Sequence, residues 1–249
     1  MKVSIITAVL NNKANITDSL ESVARQSFQD IEHILIDGGS IDGTLEMIQT
    51  YPARLAKIIS EPDTGLYDAL NKGIRVSSGE VIGFLHGDDI YAHENVVKRV
   101  VEVLESQNVD SCYGDLQYVE KDNLHKVVRY WRASEYRPGK FKSGWMPPHP
   151  TFFVRRKIYE KFECFNTKFR IAADYELMLR FLEINRISTH YIPEVLVKMR
   201  AQGISNRSLK NMVLKSYEDY LAWKVNHLKA HFYTILLKNI IKIPQFFER

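Results

Sequence analysis

Gly79-Glu80-Val81-Ile82-Gly83-Phe84-Leu85-His86-Gly87-Asp88-Asp89 decides how the rest of the chain reads. Residues 80–85 are almost entirely apolar, at strand length, and then two adjacent carboxylates follow. A strand apolar on both alternating faces suits the middle of a sheet covered by helices on either side. Polar residues gathered where such a strand ends point to a ligand, because open α/β sheets bind ligands at the C-terminal ends of their strands.

Upstream, residues 2–9, 33–36 and 57–60 read as strands. Between them lie a helix capped by Asn15, with Ile16, Leu20, Val23 and Ala24 on one face, and a second helix beginning at Leu45. A third helix covers 66–76, and Val96, Val97, Val100, Val101 and Leu104 form the stripe of a fourth. This alternation predicts an α/β domain of right-handed βαβ units and a mostly parallel sheet. Asn11-Asn12, Asp37 and Asp88-Asp89 all fall at strand C-termini. Beyond 110 the pattern loosens. Strands are expected at 111–114, 126–131 and 195–199, a Pro-rich loop at 133–150, and a helix from Ala173-Asp174 with Leu177, Met178, Phe181 and Leu182 apolar. Three regions follow: 1–110, 111–206 and a basic tail, 207–249.

The chain has 249 residues, 45% apolar and 26% charged, enough for a true core and too apolar for global disorder. Two cysteines, Cys112 and Cys164, exclude a disulfide framework and point to a reducing, cytoplasmic setting. No run reaches the ~18 apolar residues of a membrane-spanning helix, and residues 2–9 read as a strand rather than a signal peptide. The formal charge of +4 is uneven: residues 207–249 hold eight Lys/Arg against three acids, or +5, leaving −1 for the body. A neutral body argues against nucleic acid as the partner.

Asp88-Asp89 has two readings, a Mg2+ or Mn2+ site completed by substrate phosphates, or a cap on the following turn. Asp37 either accepts from a pyrimidine ring N–H or closes an Asx turn into Gly38-Gly39. In Asp63-Thr64-Gly65-Leu66-Tyr67-Asp68-Ala69-Leu70-Asn71-Lys72-Gly73, a helix start and Lys72 both favour phosphate, against a solvated surface lysine.

With Val3-Ser4-Ile5-Ile6-Thr7, residues 36–44, the 63–73 and 79–89 stretches, His149-Pro150-Thr151-Phe152-Phe153-Val154-Arg155-Arg156 and Ala173-Asp174-Tyr175-Glu176-Leu177, the chain resembles a family 2 glycosyltransferase of the bacterial surface-polysaccharide type over about residues 2–206. Each motif is weak alone, and their shared order is specific. The resemblance implies the GT-A fold, a Rossmann-like, mostly parallel central sheet flanked by helices, here with a C-terminal helical extension. It implies inverting transfer of a sugar from a nucleotide diphosphate sugar, expected to be a UDP-sugar, to a glycan or polyprenyl-linked acceptor. Thr7 and Asp37 are then placed at the base, and Asp88 at the ribose and sugar. Asp68, Lys72 and His149 fall on the donor side, Asp89 on Mn2+ or Mg2+, and Asp174 is the general base.

The chain departs from the family pattern at His86, where Asp or Asn is common, at Leu70, where many relatives carry Arg, and at Gln202-Gly203-Ile204-Ser205. His149, between prolines, reads as a donor or acceptor contact or as a structural corner. Trp145 reads as a stacking surface for a sugar or as packing. In the tail, His231, Thr234, Lys238, Lys242 and Gln245 recur on one face of an otherwise apolar helix. Such a helix can lie on an anionic membrane at the inner face of the cell, or pack on the catalytic domain or on a second subunit as a homodimer. Two other enzyme classes, sugar nucleotidyltransferases and dinucleotide dehydrogenases, need a Gly-rich loop after the first strand, and residues 8–15 contain no glycine. A non-catalytic module on the same fold would be expected to lose Asp88, Asp89 or Asp174.

Overall fold

The computed structural model describes residues 1–53, 55–201, 209–229, 232–241 and 245. Its first half runs β1 (Val3–Val9), α1 (Ile16–Ala24), β2 (Ile31–Asp37), α2 (Thr44–Thr50), β3 (Lys57–Ser60), α3 (Leu66–Val76) and β4 (Val81–Phe84). After β4 come β5 (Ile90–Tyr91), α4 (Val96–Ser106), β6 (Ser111–Glu120), β7 (Asn123–Trp131), β8 (Phe153–Arg155), α5 (Arg156–Phe162), α6 (Ala173–Leu179) and β9 (Thr189–Arg200). Two further helices, α7 (Leu209–Val225) and α8 (Phe232–Ile240), form a C-terminal appendage.

One nine-stranded sheet runs in the order β3-β2-β1-β4-β8-β6-β9-β5, with β7 paired to β6. The β3-β2-β1-β4 half is wholly parallel, as the alternation predicts. The other half mixes the parallel pair β6–β9 with antiparallel β4–β8, β6–β8, β6–β7 and β5–β9 pairs. The first three strands step one way from β1, and the chain then returns through α3 to place β4 on the other side. In open α/β sheets such a reversal marks the crevice where ligands bind, here outside the C-terminal ends of β1 and β4.

Both faces of the parallel half are covered. On β1, Ile6 and Ala8 join one apolar cluster with Leu70 and Ile74 of α3, and Val3 and Ile5 join another with Val97, Val100 and Leu104 of α4. Alternate residues of one strand thus enter two cores, which is why the strand carries no polar stripe. Gly73 lets α3 lie close on β1, since a Cβ there would meet Ile6 Cγ2 at 2.4 Å.

The sequence reading differs from the structure mainly after residue 89. β5 and β8 are too short to show a period, and α5 follows β8 without a break. The expected strands at 111–114, 126–131 and 195–199 are the ends of longer strands. Asn15 precedes α1 as expected, but its side-chain amide donates to Asn12 Oδ1 at 2.8 Å and makes no cap bond to the helix.

Candidate active site

The loop after β4 sits at the topological reversal. Its backbone keeps contact with β1, Leu85 N–H donating to Ile6 O at 3.1 Å, and closes a turn in which Asp89 N–H donates to His86 O at 3.0 Å. Arg200, at the end of β9 and buried, pins this turn. Its Nη1 donates to Asp88 O at 2.7 Å, its Nε to Lys121 O at 3.0 Å, and Nη2 pairs with Asp18. Asp88 is half-buried, and Asp89 is fully buried.

Among the described residues neither carboxylate oxygen of Asp89 has a hydrogen-bond partner. Burial, and then the charge of Asp88, push the Asp89 carboxyl well above the usual carboxylate range, while Arg200 pulls it down. A buried carboxyl with both oxygens unused is costly unless a cation meets it. No group of three or more His, Cys, Asp or Glu stands ready to hold a metal among the described residues. The donor set therefore fits a Mg2+ or Mn2+ held by one or two acids and completed by phosphate and water, not a closed protein cage.

Asp174 enters from the first turn of α6 and is half-buried. Tyr67 of α3, whose ring is buried, places its hydroxyl 3.1 Å from Asp174 Oδ1 and 2.7 Å from Ile171 O. A chain of rings connects this corner to the Asp88-Asp89 turn. Tyr67 and His149 each lie 5.5 Å from Phe165, His149 stacks on Phe84 at 5.2 Å, and His86 follows at 6.0 Å from His149. Burial holds the His149 imidazole down to about 4, against the pull of Asp174, so at neutral pH it is uncharged. Its Nε2 has no partner among the described residues. His149 therefore offers a hydrogen bond, not a positive charge. His86 is likewise lowered by burial, opposed by Asp88 and then Asp174.

The remaining donor-side residues are placed less simply. Thr7, expected at the base, is fully buried, and its Oγ1 lies 3.0 Å from His33 Nε2, so the hydroxyl is not presented to the crevice. Asp37 is fully buried as well, and its Oδ2 accepts from Ser60 Oγ at 2.7 Å and from Ser40 and Gly39 N–H at 3.1 and 3.3 Å. This is the Asx-turn arrangement, and the 38–40 backbone forms around it. Asp68 Oδ2 accepts from Thr64 N–H at 3.1 Å at the start of α3, a bond that lowers its pKa. Lys72 is not a solvated surface lysine. Its Nζ lies 2.7 Å from Asp63 and 2.8 Å from Glu61, and these two acids raise its pKa further. In this state Lys72 braces the 61–63 turn beside Gly38, and a diphosphate would have to compete for it.

Trp145 packs. It is buried, with ring centroids 5.5 Å from Tyr136 and 5.4 Å from Phe141. Cys112 is buried and Cys164 half-buried, both as free thiols. Gln202-Gly203-Ile204-Ser205 lie outside the described residues.

The tail helix forms with its polar stripe turned inward. Thr234 and Lys238 are buried, Lys238 Nζ lies 2.6 Å from Asp219 Oδ1, and Gln245 Oε1 accepts from Arg129 Nε at 2.8 Å. His231 and Lys242 lie outside the described residues. Lys238, expected to face lipid headgroups, is thus an internal ion-pair partner. Gly144 makes room for it, since a Cβ there would meet the Lys238 backbone N at 2.3 Å, and its φ is +83°. Tyr233, Leu237, Ile240 and Ile241 face outward instead. No described helix is long and apolar enough to cross a membrane.

The family profile described as "Glycosyl transferase family 2" matches residues 4–167. A "PGL/p-HBAD biosynthesis glycosyltransferase" of Mycobacterium bovis (strain BCG / Pasteur 1173P2) is 30% identical over 217 residues, covering 85% of this chain and 82% of that protein. An "uncharacterized glycosyltransferase" of Mycobacterium tuberculosis (strain CDC 1551 / Oshkosh) is 34% identical over 181 residues, 72% of this chain and 68% of that protein. Among solved structures, S. aureus TarS 1-349 in complex with UDP-GlcNAc superposes with a TM-score of 0.70 at 15% identity, covering 96% of this chain and 70% of that one. The mannosyltransferase PcManGT from Pyrobaculum calidifontis, in complex with GDP-Man and Mn2+, gives 0.64 at 18% identity, covering 99% and 73%. These likenesses establish the GT-A fold.

Proposed function

The chain belongs to glycosyl transferase family 2, and from that premise we propose that it moves a hexosyl group, with inversion, from a UDP-sugar to an acceptor hydroxyl in bacterial lipopolysaccharide, capsule or exopolysaccharide assembly. The observation that carries this reading is the fully buried Asp89 in the turn after β4, whose two carboxylate oxygens have no hydrogen-bond partner among the described residues. In this reading Asp174 serves the acceptor, and Asp88 and Asp89 serve the donor.

The acceptor oxygen attacks the anomeric carbon as Asp174 takes its proton. The new C–O bond forms as the bond to the diphosphate breaks, and the nucleoside diphosphate leaves with that electron pair. One displacement inverts the centre, so no covalent enzyme intermediate is needed. Asp89, aided by Asp88, would hold Mn2+ or Mg2+, which supplies positive charge against the departing diphosphate. His149 Nε2, neutral and without a partner among the described residues, hydrogen-bonds the donor or acceptor. Asp37, whose own carboxylate is buried and engaged, orders the 38–40 backbone beside the base.

TarS was solved with UDP-GlcNAc and PcManGT with GDP-Man, so the fold accommodates either base. Calorimetric titration with UDP, GDP and dTDP in the presence of Mn2+ should show UDP binding tightest. Clear preference for GDP would overturn the uridine assignment, and no binding by any of the three would overturn the donor-site reading.

The acceptor in this proposal is a glycan on a polyprenyl carrier, met at the inner face of the cell membrane. What supports it is the outer surface of the appendage. Met212, Val213, Tyr217, Leu237 and Ile240 are exposed there, as are Lys224 and Lys229, while Glu218 and Asp219 are buried. Its exposed charge among the described residues is therefore basic, which suits an anionic leaflet. The full-length protein should sediment with phosphatidylglycerol liposomes, less so in high salt. Leu237→Glu with Ile240→Glu should abolish sedimentation and leave UDP titration unchanged. A protein that ignores liposomes, and instead forms a dimer broken by the same substitutions, would assign the face to a second copy.

A further inference from the structure

Two buried acids of α7 stand outside the stretch matched by the family profile; Glu218 reaches the residues before Asp174 directly, and Asp219 holds Lys238 over the residue after it. Glu218 accepts three consecutive backbone N–H groups, from Arg170 at 2.9 Å and from Ile171 and Ala172 at 2.8 Å each. That peptide run leads directly into the first turn of α6. On the other side of Asp174, the Tyr175 hydroxyl accepts from Trp223 Nε1 at 2.9 Å, and Lys238 Nζ lies 3.4 Å from the Tyr175 ring centroid while paired to Asp219. Residues before and after the base are therefore gripped by side chains of the appendage.

The Glu218 clamp also reaches the base through a hydroxyl. Ile171 donates its N–H to Glu218 and accepts at its carbonyl from Tyr67, whose oxygen is the one 3.1 Å from Asp174 Oδ1. We propose that Glu218 is a positioning residue for the catalytic base, fixing the 170–172 backbone so that Tyr67 and Asp174 hold their reactive arrangement. This rests on the assignment of Asp174 as the base.

The chemistry explains why Tyr67 has two acceptors and one proton. While Asp174 is a carboxylate, Tyr67 O–H donates to it. Once Asp174 has taken the acceptor proton, its own O–H donates to the Tyr67 oxygen, and Tyr67 turns its proton to Ile171 O. No proton is gained or lost by Tyr67 in this exchange. Burial, with the charges of Asp174 and Glu218, raises the Tyr67 phenol well above its ordinary value, so it stays protonated in both arrangements. The exchange works only if Ile171 O is held in place, which is the task of Glu218.

Glu218→Gln replaces one accepting oxygen with an amide N–H that faces a backbone donor. Turnover should fall about 10- to 100-fold, the size expected from small misplacement of a reacting group. KM for the donor and calorimetric UDP affinity should stay unchanged. Tyr67→Phe removes only the hydroxyl and should lower kcat alike. Because the two act in one chain, the double variant should be no slower than the slower single one. Additive losses in kcat, or a Glu218→Gln enzyme with wild-type kcat, would overturn the proposal. An unstable Glu218→Gln protein leaves Tyr67→Phe to decide, and wild-type kcat in that variant also overturns it. Asp174→Asn separates this from failure of the base assignment. If that variant turns over normally, the base is misassigned. If it is slow while Glu218→Gln is not, only the positioning role fails.

Discussion

Asp174→Asn should lower turnover by ~10²–10⁴-fold, the usual range for loss of a general base, with UDP affinity unchanged. The amide is nearly isosteric and can still accept from Tyr67, so the geometry around α6 is kept. It cannot take a proton from an acceptor hydroxyl. A structural acid at a helix N-terminus would behave differently. Its loss would weaken the helix by ~0.3–1 kcal/mol, lowering thermal stability without a selective fall in kcat. Single-turnover transfer and calorimetry on the same preparation distinguish the two. Equal losses in donor binding and turnover would make Asp174 structural.

The parallel half of the sheet was legible because each of its strands is an apolar run closed by a polar turn. Val81–Phe84 has no polar face, and in the structure both of its faces are covered. β5 and β8, at two and three residues, give no period to read. The tail's amphipathic period was also legible, but a period does not say which face turns inward. Asp219 decides that by meeting Lys238, and the two residues are 19 positions apart. Likewise Lys72 could be seen as a lysine near a helix start, whereas its engagement by Glu61 and Asp63 depends on how the preceding turn folds back. Arg200 and Glu218 act on backbone atoms. Such contacts leave no mark on the sequence of the segment they hold, so neither role could be read beforehand.

Asp89→Asn should remove transfer and reduce metal-dependent UDP affinity more than ~100-fold, since loss of outer-shell partners alone costs 10–100-fold at metal sites. The same substitution should leave thermal stability equal or higher. Asp89 is fully buried and, among the described residues, neither oxygen is hydrogen-bonded. In the unliganded protein that carboxyl contributes a desolvation cost and the repulsion of Asp88, and an amide of the same shape removes the charge responsible for both. A residue kept for the fold would show the opposite pattern, because its loss would lower the melting temperature. A residue kept for a cation destabilises the empty site and is repaid only when ligand arrives, the usual relation between stability and function at binding sites. Differential scanning calorimetry without ligand, and UDP titration with and without Mn2+, measure the two sides separately. Full transfer activity in excess EDTA, or unchanged Mn2+-dependent binding in the Asp89→Asn protein, would remove the metal from this reading.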